Sequence, residues 1–153
     1  MKQISKPLYA ASLLSLGLIL SACSSDDVIV ACPTVTAPEE GATAYVMMDN
    51  IGDVVDVRFN GVSARCTLLD NGNTNVALSV GLKLKREAAS GPDVVSVGVM
   101  SAIVAADDVV TQNEQTTYKA GFQDADVLKY PVANIEYEVP AGSRLVISLT
   151  PTL

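Results

Sequence analysis

Across residues 75–85 every second side chain is apolar. Val76, Leu78, Val80, Leu82 and Leu84 fall on one face, and Asn75, Ala77, Ser79, Lys83 and Lys85 fall on the other. A helix repeats every 3.6 residues and would scatter this series, whereas a strand sends alternate side chains to opposite sides. The segment is therefore a half-buried strand. Asp70-Asn71-Gly72-Asn73 precedes it and carries the residues that tolerate positive φ in a hairpin turn.

The same period recurs elsewhere. Val55, Val57 and Phe59 share one face, and Val62, Ala64, Cys66 and Leu68 fall in the opposite phase. Asn60-Gly61 is either a tight hairpin between two strands or a bulge within one. After the turn cluster Ser90-Gly91-Pro92-Asp93, residues 94–105 are apolar on both faces, as in a central strand, until Asp107-Asp108 interrupts them. Residues 115–122, 135–139 and 144–150 supply further strands, the last two joined by Pro140-Ala141-Gly142-Ser143. No stretch keeps a 3.6-residue apolar period, and a single helical turn over residues 124–129 is the most expected. About seven short strands predict an all-β antiparallel sandwich of immunoglobulin or fibronectin III type, with a closed small barrel as the alternative. The chain has no Trp, so the tryptophan-on-disulfide core of antibody domains is excluded.

The first 22 residues read as a signal. Lys2 and Lys6 precede an apolar run over residues 8–20, which ends in small residues before Cys23. The run falls short of the roughly 20 residues that span a bilayer. Leu20-Ser21-Ala22-Cys23 resembles the bacterial lipobox. That resemblance implies diacylglycerol on the Cys23 thiol and a further acyl chain on its amine, with a plain secreted protein as the alternative. Two or three such chains hold a soluble domain on a membrane durably. Ser24 and Ser25 follow, and Asp26 comes too late for the usual inner-membrane retention signal. The resemblance thus implies the outer membrane, with the domain facing the periplasm or the cell surface. The expected organisation is signal peptide 1–22, lipidated Cys23 with tether and entry segment 23–41, and sandwich 42–153.

Beyond the leader, eight Lys and Arg face 17 Asp and Glu, a net charge of −9. An acidic domain without a basic stripe argues against nucleic acid and against electrostatic binding to anionic lipid. The remaining cysteines, Cys32 and Cys66, are even in number, and the oxidising compartment expected from the leader favours a structural disulfide between them, with two separate buried thiols as the alternative. Histidine is absent, which excludes histidine-based triads, histidine-ligated zinc or haem, and an imidazole base. No phosphate or dinucleotide fingerprint occurs. No catalytic residue, cofactor or metal is assigned.

The carboxylate pairs Asp107-Asp108, Asp124 with Asp126, and Glu136 with Glu138 are candidate acid–base partners that fit solvated faces better. Calcium could use Asp49, Asn50 and Asp53, or Asp70, Asn71, Asn73 and Asn75, although neither set has EF-hand spacing. Tyr118 and Phe122 share a strand phase and suit the core, whereas Tyr130 beside Pro131 suits the surface. Lys83, Lys85 and Arg86 form a small basic patch at a strand end, expected to solubilise an edge.

Four features resemble a family of uncharacterised Gram-negative bacterial lipoproteins with one fibronectin-like sandwich: Cys32-Pro33 after the tether, a long strand ending in Cys66, Gly91-Pro92 before an apolar strand, and Pro140-Ala141-Gly142 before the last strand. The resemblance implies a single strand ahead of Cys66, hence a bulge at Asn60-Gly61. It carries no activity. The aromatic residues usual after the Gly-Pro turn are replaced here by Val, Gly and Met. The expected role is a non-enzymatic, lipid-anchored module that binds another envelope component. A glycan- or calcium-binding protein is the second expectation and a carboxylate hydrolase the third.

Overall fold

The computed structural model describes residues 28–151. The leader and Cys23 lie outside them. Nine strands form in the order β1 (Val35–Thr36), β2 (Thr43–Met47), β3 (Val54–Leu68), β4 (Thr74–Arg86), β5 (Asp93–Val104), β6 (Val110–Phe122), β7 (Leu128–Lys129), β8 (Val132–Val139) and β9 (Arg144–Thr150). They make two stacked sheets. One runs β2-β3-β4, with β7 and β8 both lining the far side of β4; the other runs β1-β9-β5-β6. All pairings between strands are antiparallel except β1 with β9.

The sandwich expected from the period-two pattern is present, and the core is where that pattern puts it. Val76, Leu78, Val80, Leu82 and Leu84 of β4 pack with Val55 and Val57 of β3 against Val95, Val97 and Val99 of β5 and Leu145, Ile147 and Leu149 of β9. Sandwiches of this class share an architecture without always sharing connectivity. Lettered in chain order, the seven longer strands here run A-B-C-F and G-D-E, whereas immunoglobulin sheets run A-B-E-D and C-F-G. Among these longer strands the chain crosses between the sheets from β4 to β5 at one end, from β6 through β7 to β8, and from β8 to β9 at the end opposite the first crossing.

The Asn60-Gly61 switch is a bulge within one long strand. Phe59 pairs with Leu82 and Val62 with Val80, so Asn60 and Gly61 together face Gly81. Gly61 sits at φ 110°, where only glycine is unstrained. A Cβ on Gly81 would stand 3.0 Å from the Asn60 carbonyl oxygen and 3.2 Å from that of Gly61. The bulge therefore needs a glycine on each strand. It also flips the side-chain phase of β3, which brings Cys66 to the core side at 1% exposure. There it is bonded to Cys32, with the two Cα atoms 5.3 Å apart.

Three expectations are revised. The chain engages the sandwich well before residue 42. Ile29 bridges Thr67, the Val30 N–H donates to the Cys66 carbonyl at 3.1 Å, and β1 pairs with β9. Residues 124–129, where the sequence allows at most one helical turn, form a hydrogen-bonded loop leading into β7, since the Asp126 carboxylate accepts from the Gln123 N–H at 2.8 Å and ties the segment back on itself. The helical turn found is a 3-10 turn at Glu39–Gly41. Finally, β6 begins five residues before 115, because its polar first half pairs with β5 along a sheet edge and carries no apolar alternation to announce it.

Replacing Gly61 with Ala should lower the urea midpoint by the equivalent of about 1–2 kcal/mol, since the alanine must occupy a left-handed conformation. Gly121→Ala, at a position with open space and without that backbone conformation, should leave the midpoint within about 0.5 kcal/mol of wild type.

Candidate functional surfaces

Arg86 closes β4 in the same phase as Leu82 and Leu84, and it follows them inside at 1% exposure. The basic patch expected of Lys83, Lys85 and Arg86 is thus two lysines on the outer face and one arginine in the core. Nor is β4 an edge, since β3 flanks it on one side and β7 and β8 on the other. The guanidinium donates from Nε to the Asp126 carbonyl, from Nη1 to the Gly91 carbonyl at 2.7 Å, and from Nη2 to the Gln123 carbonyl at 2.7 Å. Its carbon lies 5.1 Å from the centroid of the buried Phe122 ring, in cation–π contact. A planar fork with five N–H groups suits several carbonyls on two loops at once. Arg86 therefore pins the 90–91 and 123–126 loops to the end of the sandwich.

Asp93 organises the same end from the other side. At 5% exposure its carboxylate accepts from the Ile51 N–H at 2.8 Å, from the Asn50 N–H at 3.2 Å and amide at 2.6 Å, and from the Val94 N–H at 2.6 Å. The Ile51 bond leads in holding its pKa down at about 2, against the opposing effect of burial. This arrangement accounts for the first oxygen-rich set. Asn50 is turned to Asp93, Asp49 accepts from the Ser96 hydroxyl at 3.1 Å, and Asp53 accepts from the Ser90 hydroxyl.

In the second set, Asn71 and Asn73 each donate an amide to the same Glu138 oxygen at 2.7 Å, which lowers the Glu138 pKa. The Asn71 carbonyl oxygen accepts from the Asn73 N–H at 3.0 Å, an ordinary Asx turn. Among the described residues no group of three or more His, Cys, Asp or Glu side chains is placed to hold a metal ion.

The carboxylate pairs are spread over open surface. Asp107 and Asp108 lie in an exposed turn, where Asp108 pairs with Arg144 at 2.7 Å. Asp126 pairs with Lys129 at 2.9 Å while Asp124 is exposed. Glu136 and Glu138 share the outer face of β8. Tyr118 and Phe122 join the core as expected, and Tyr130 is exposed. Tyr137, unassigned from the sequence, is buried with its hydroxyl toward Ser101 and Thr116, and desolvation raises its pKa. An open hollow of about 400 Å³ lies beside Met47, Met48, Asp49, Ser96 and Gln115, with Asp49 its single carboxylate.

Two outcomes are expected. Arg86→Met strands several carbonyls and should cost at least about 3 kcal/mol in chemical unfolding; Arg86→Lys should recover little of it, lacking the fork. For Asp93, a folded pKa of about 2 lies below the unfolded value near 3.9. Its ionised form therefore stabilises the fold above about pH 4, and that contribution is lost as pH falls toward 2. Melting temperatures measured from pH 5 to 2 should fall less steeply in Asp93→Asn than in wild type. Comparison with family models, with curated proteins and with solved structures finds no match to this chain.

Proposed function

We propose that this chain is a bacterial lipoprotein, anchored by acyl chains on Cys23, whose sandwich serves as a non-enzymatic interaction or accessory module of the cell envelope. The observation that carries the reading is the order Lys2, Lys6, apolar run, Leu20-Ser21-Ala22-Cys23. The Cys32–Cys66 bridge supports it, because such bonds persist in oxidising compartments. So does the resemblance to fibronectin-like lipoproteins, whose single strand before the second cysteine has its counterpart in β3.

Under this reading the domain stands close to its membrane. Val28 accepts from the Leu68 N–H at 2.9 Å, so only four residues separate Cys23 from the sandwich. At full extension they reach about 14 Å. The default location is the outer membrane, with the domain facing the periplasm. Binding surfaces on such a domain are its sheet faces, edges and end loops.

Growth with an alkyne fatty acid followed by click detection should label the wild-type chain in the membrane fraction. Cys23→Ser should lose both label and membrane association while keeping the Cys32–Cys66 bond. Label that survives this substitution, or a wild-type chain free of the membrane, would reject the proposal.

A further inference from the structure

On the outer face of the five-stranded sheet, the end built by β2, β3, the close of β4 and β7 differs from the acidic part that carries Glu136 and Glu138 of β8. One row across four strands reads Tyr45, Asp56, Lys85, Leu128, as set by the pairings of β2 with β3, β3 with β4 and β4 with β7. The adjoining row places Arg58 beside Lys83, and Met47 beside Val54 flanks the other side. Tyr45 is 57% exposed, and Met47, Val54 and Leu128 are each more than two-fifths exposed. Arg58 grips Asp56 through Nε at 3.0 Å and Nη2 at 2.7 Å, which neutralises that carboxylate and lowers its pKa. Lys83 and Lys85 have no ion-pair partner among the described residues, a state they share with the isolated Arg65 and Lys119, whereas Arg58, Lys129 and Arg144 are paired and Arg86 is inside. They alone of these free cations stand together, on one face of one strand.

Tyrosine, methionine and arginine among aliphatic side chains are the composition of a protein contact, and two unpaired lysines at its centre call for carboxylates. Lys83 and Lys85 stand one pleat repeat apart, about 7 Å, which matches alternate residues of an extended chain. We propose that this face docks an acidic, partly apolar polypeptide segment of a second envelope protein. The proposal rests on the interaction-module reading and names its surface and partner class.

A second copy is a poor occupant, because a two-fold axis over this patch would set the lysines of one copy against those of the other. The anchoring membrane is a poor occupant too. Ile29 enters beside Thr67, whose partner Asn75 lies ten residues along β4 from Lys85, about 33 Å at strand rise. The patch therefore sits at the end of the sheet remote from the anchor.

The test is site-specific photo-crosslinking of the full chain in its native cell, with p-benzoylphenylalanine at Tyr45, at Leu128, and at Met100 on the opposite sheet. Adducts should form from positions 45 and 128, spare position 100, and map by mass spectrometry to an acidic segment of another protein. Lys83→Glu with Lys85→Glu should cut their yield about tenfold, with melting temperature unchanged. Adducts to a second copy or to lipid, or yields indifferent to charge reversal, would overturn the assignment. Crosslinking from position 100 alone would overturn this surface and leave the interaction reading standing. No protein adduct from any of the three positions would overturn both.

Discussion

Two residues facing one across β3 and β4 decide which side of this protein is inside. Because side chains alternate along a strand, an extra residue at Asn60-Gly61 exchanges the two faces of everything after it. Before the bulge Val55 and Val57 point to the core; after it Cys66 does. A strand without the extra residue would present Cys66 on the outer face, away from Cys32. The bridge, the docking of residues 28–30 beside Thr67 and the covering of that stretch of β3 all follow from a local irregularity that Gly61 and Gly81 permit.

The opposite end of the sandwich is held by charge. Arg86 and Asp93 are buried ions of opposite sign that do not pair with each other. Each is satisfied mainly by main-chain groups, carbonyls around the arginine and N–H groups around the aspartate. A buried charge is tolerable when hydrogen bonds replace its water, and here the bonds also fix loops that have few apolar side chains of their own. The domain thus combines a hydrophobic middle, a covalent staple at one end and two ionic hubs at the other.

Much of this was legible from periodicity. Residues 76–84 and Arg144–Thr150 alternate without interruption, and the glycines at 72, 91 and 142 all adopt positive φ at the turns where their neighbours placed them. What escaped had weak local signals. β7 is two residues long and exists because β4 offers it an edge; β2 is short, and only Ala44 and Val46 alternate inward. Arg86 is the instructive case. Its position in the alternation pointed inward, and the general rule that arginine is exposed overrode that phase, because the carbonyls that satisfy it come from loops distant in sequence. The surface patch at Tyr45 was hidden for a similar reason, as its four strands meet only once the sheet is assembled.

The parallel pairing of Val35–Thr36 with Leu145–Val146 joins the two extremities of the sandwich. A chain delivered N-terminus first must wait for nearly its whole length to emerge before that ribbon can close. Native structure here depends on non-local partners, which makes assembly slow relative to helical proteins of the same size. Oxidation of Cys32 with Cys66 requires far less of the chain, so it can hold the early segment near its final place during the delay.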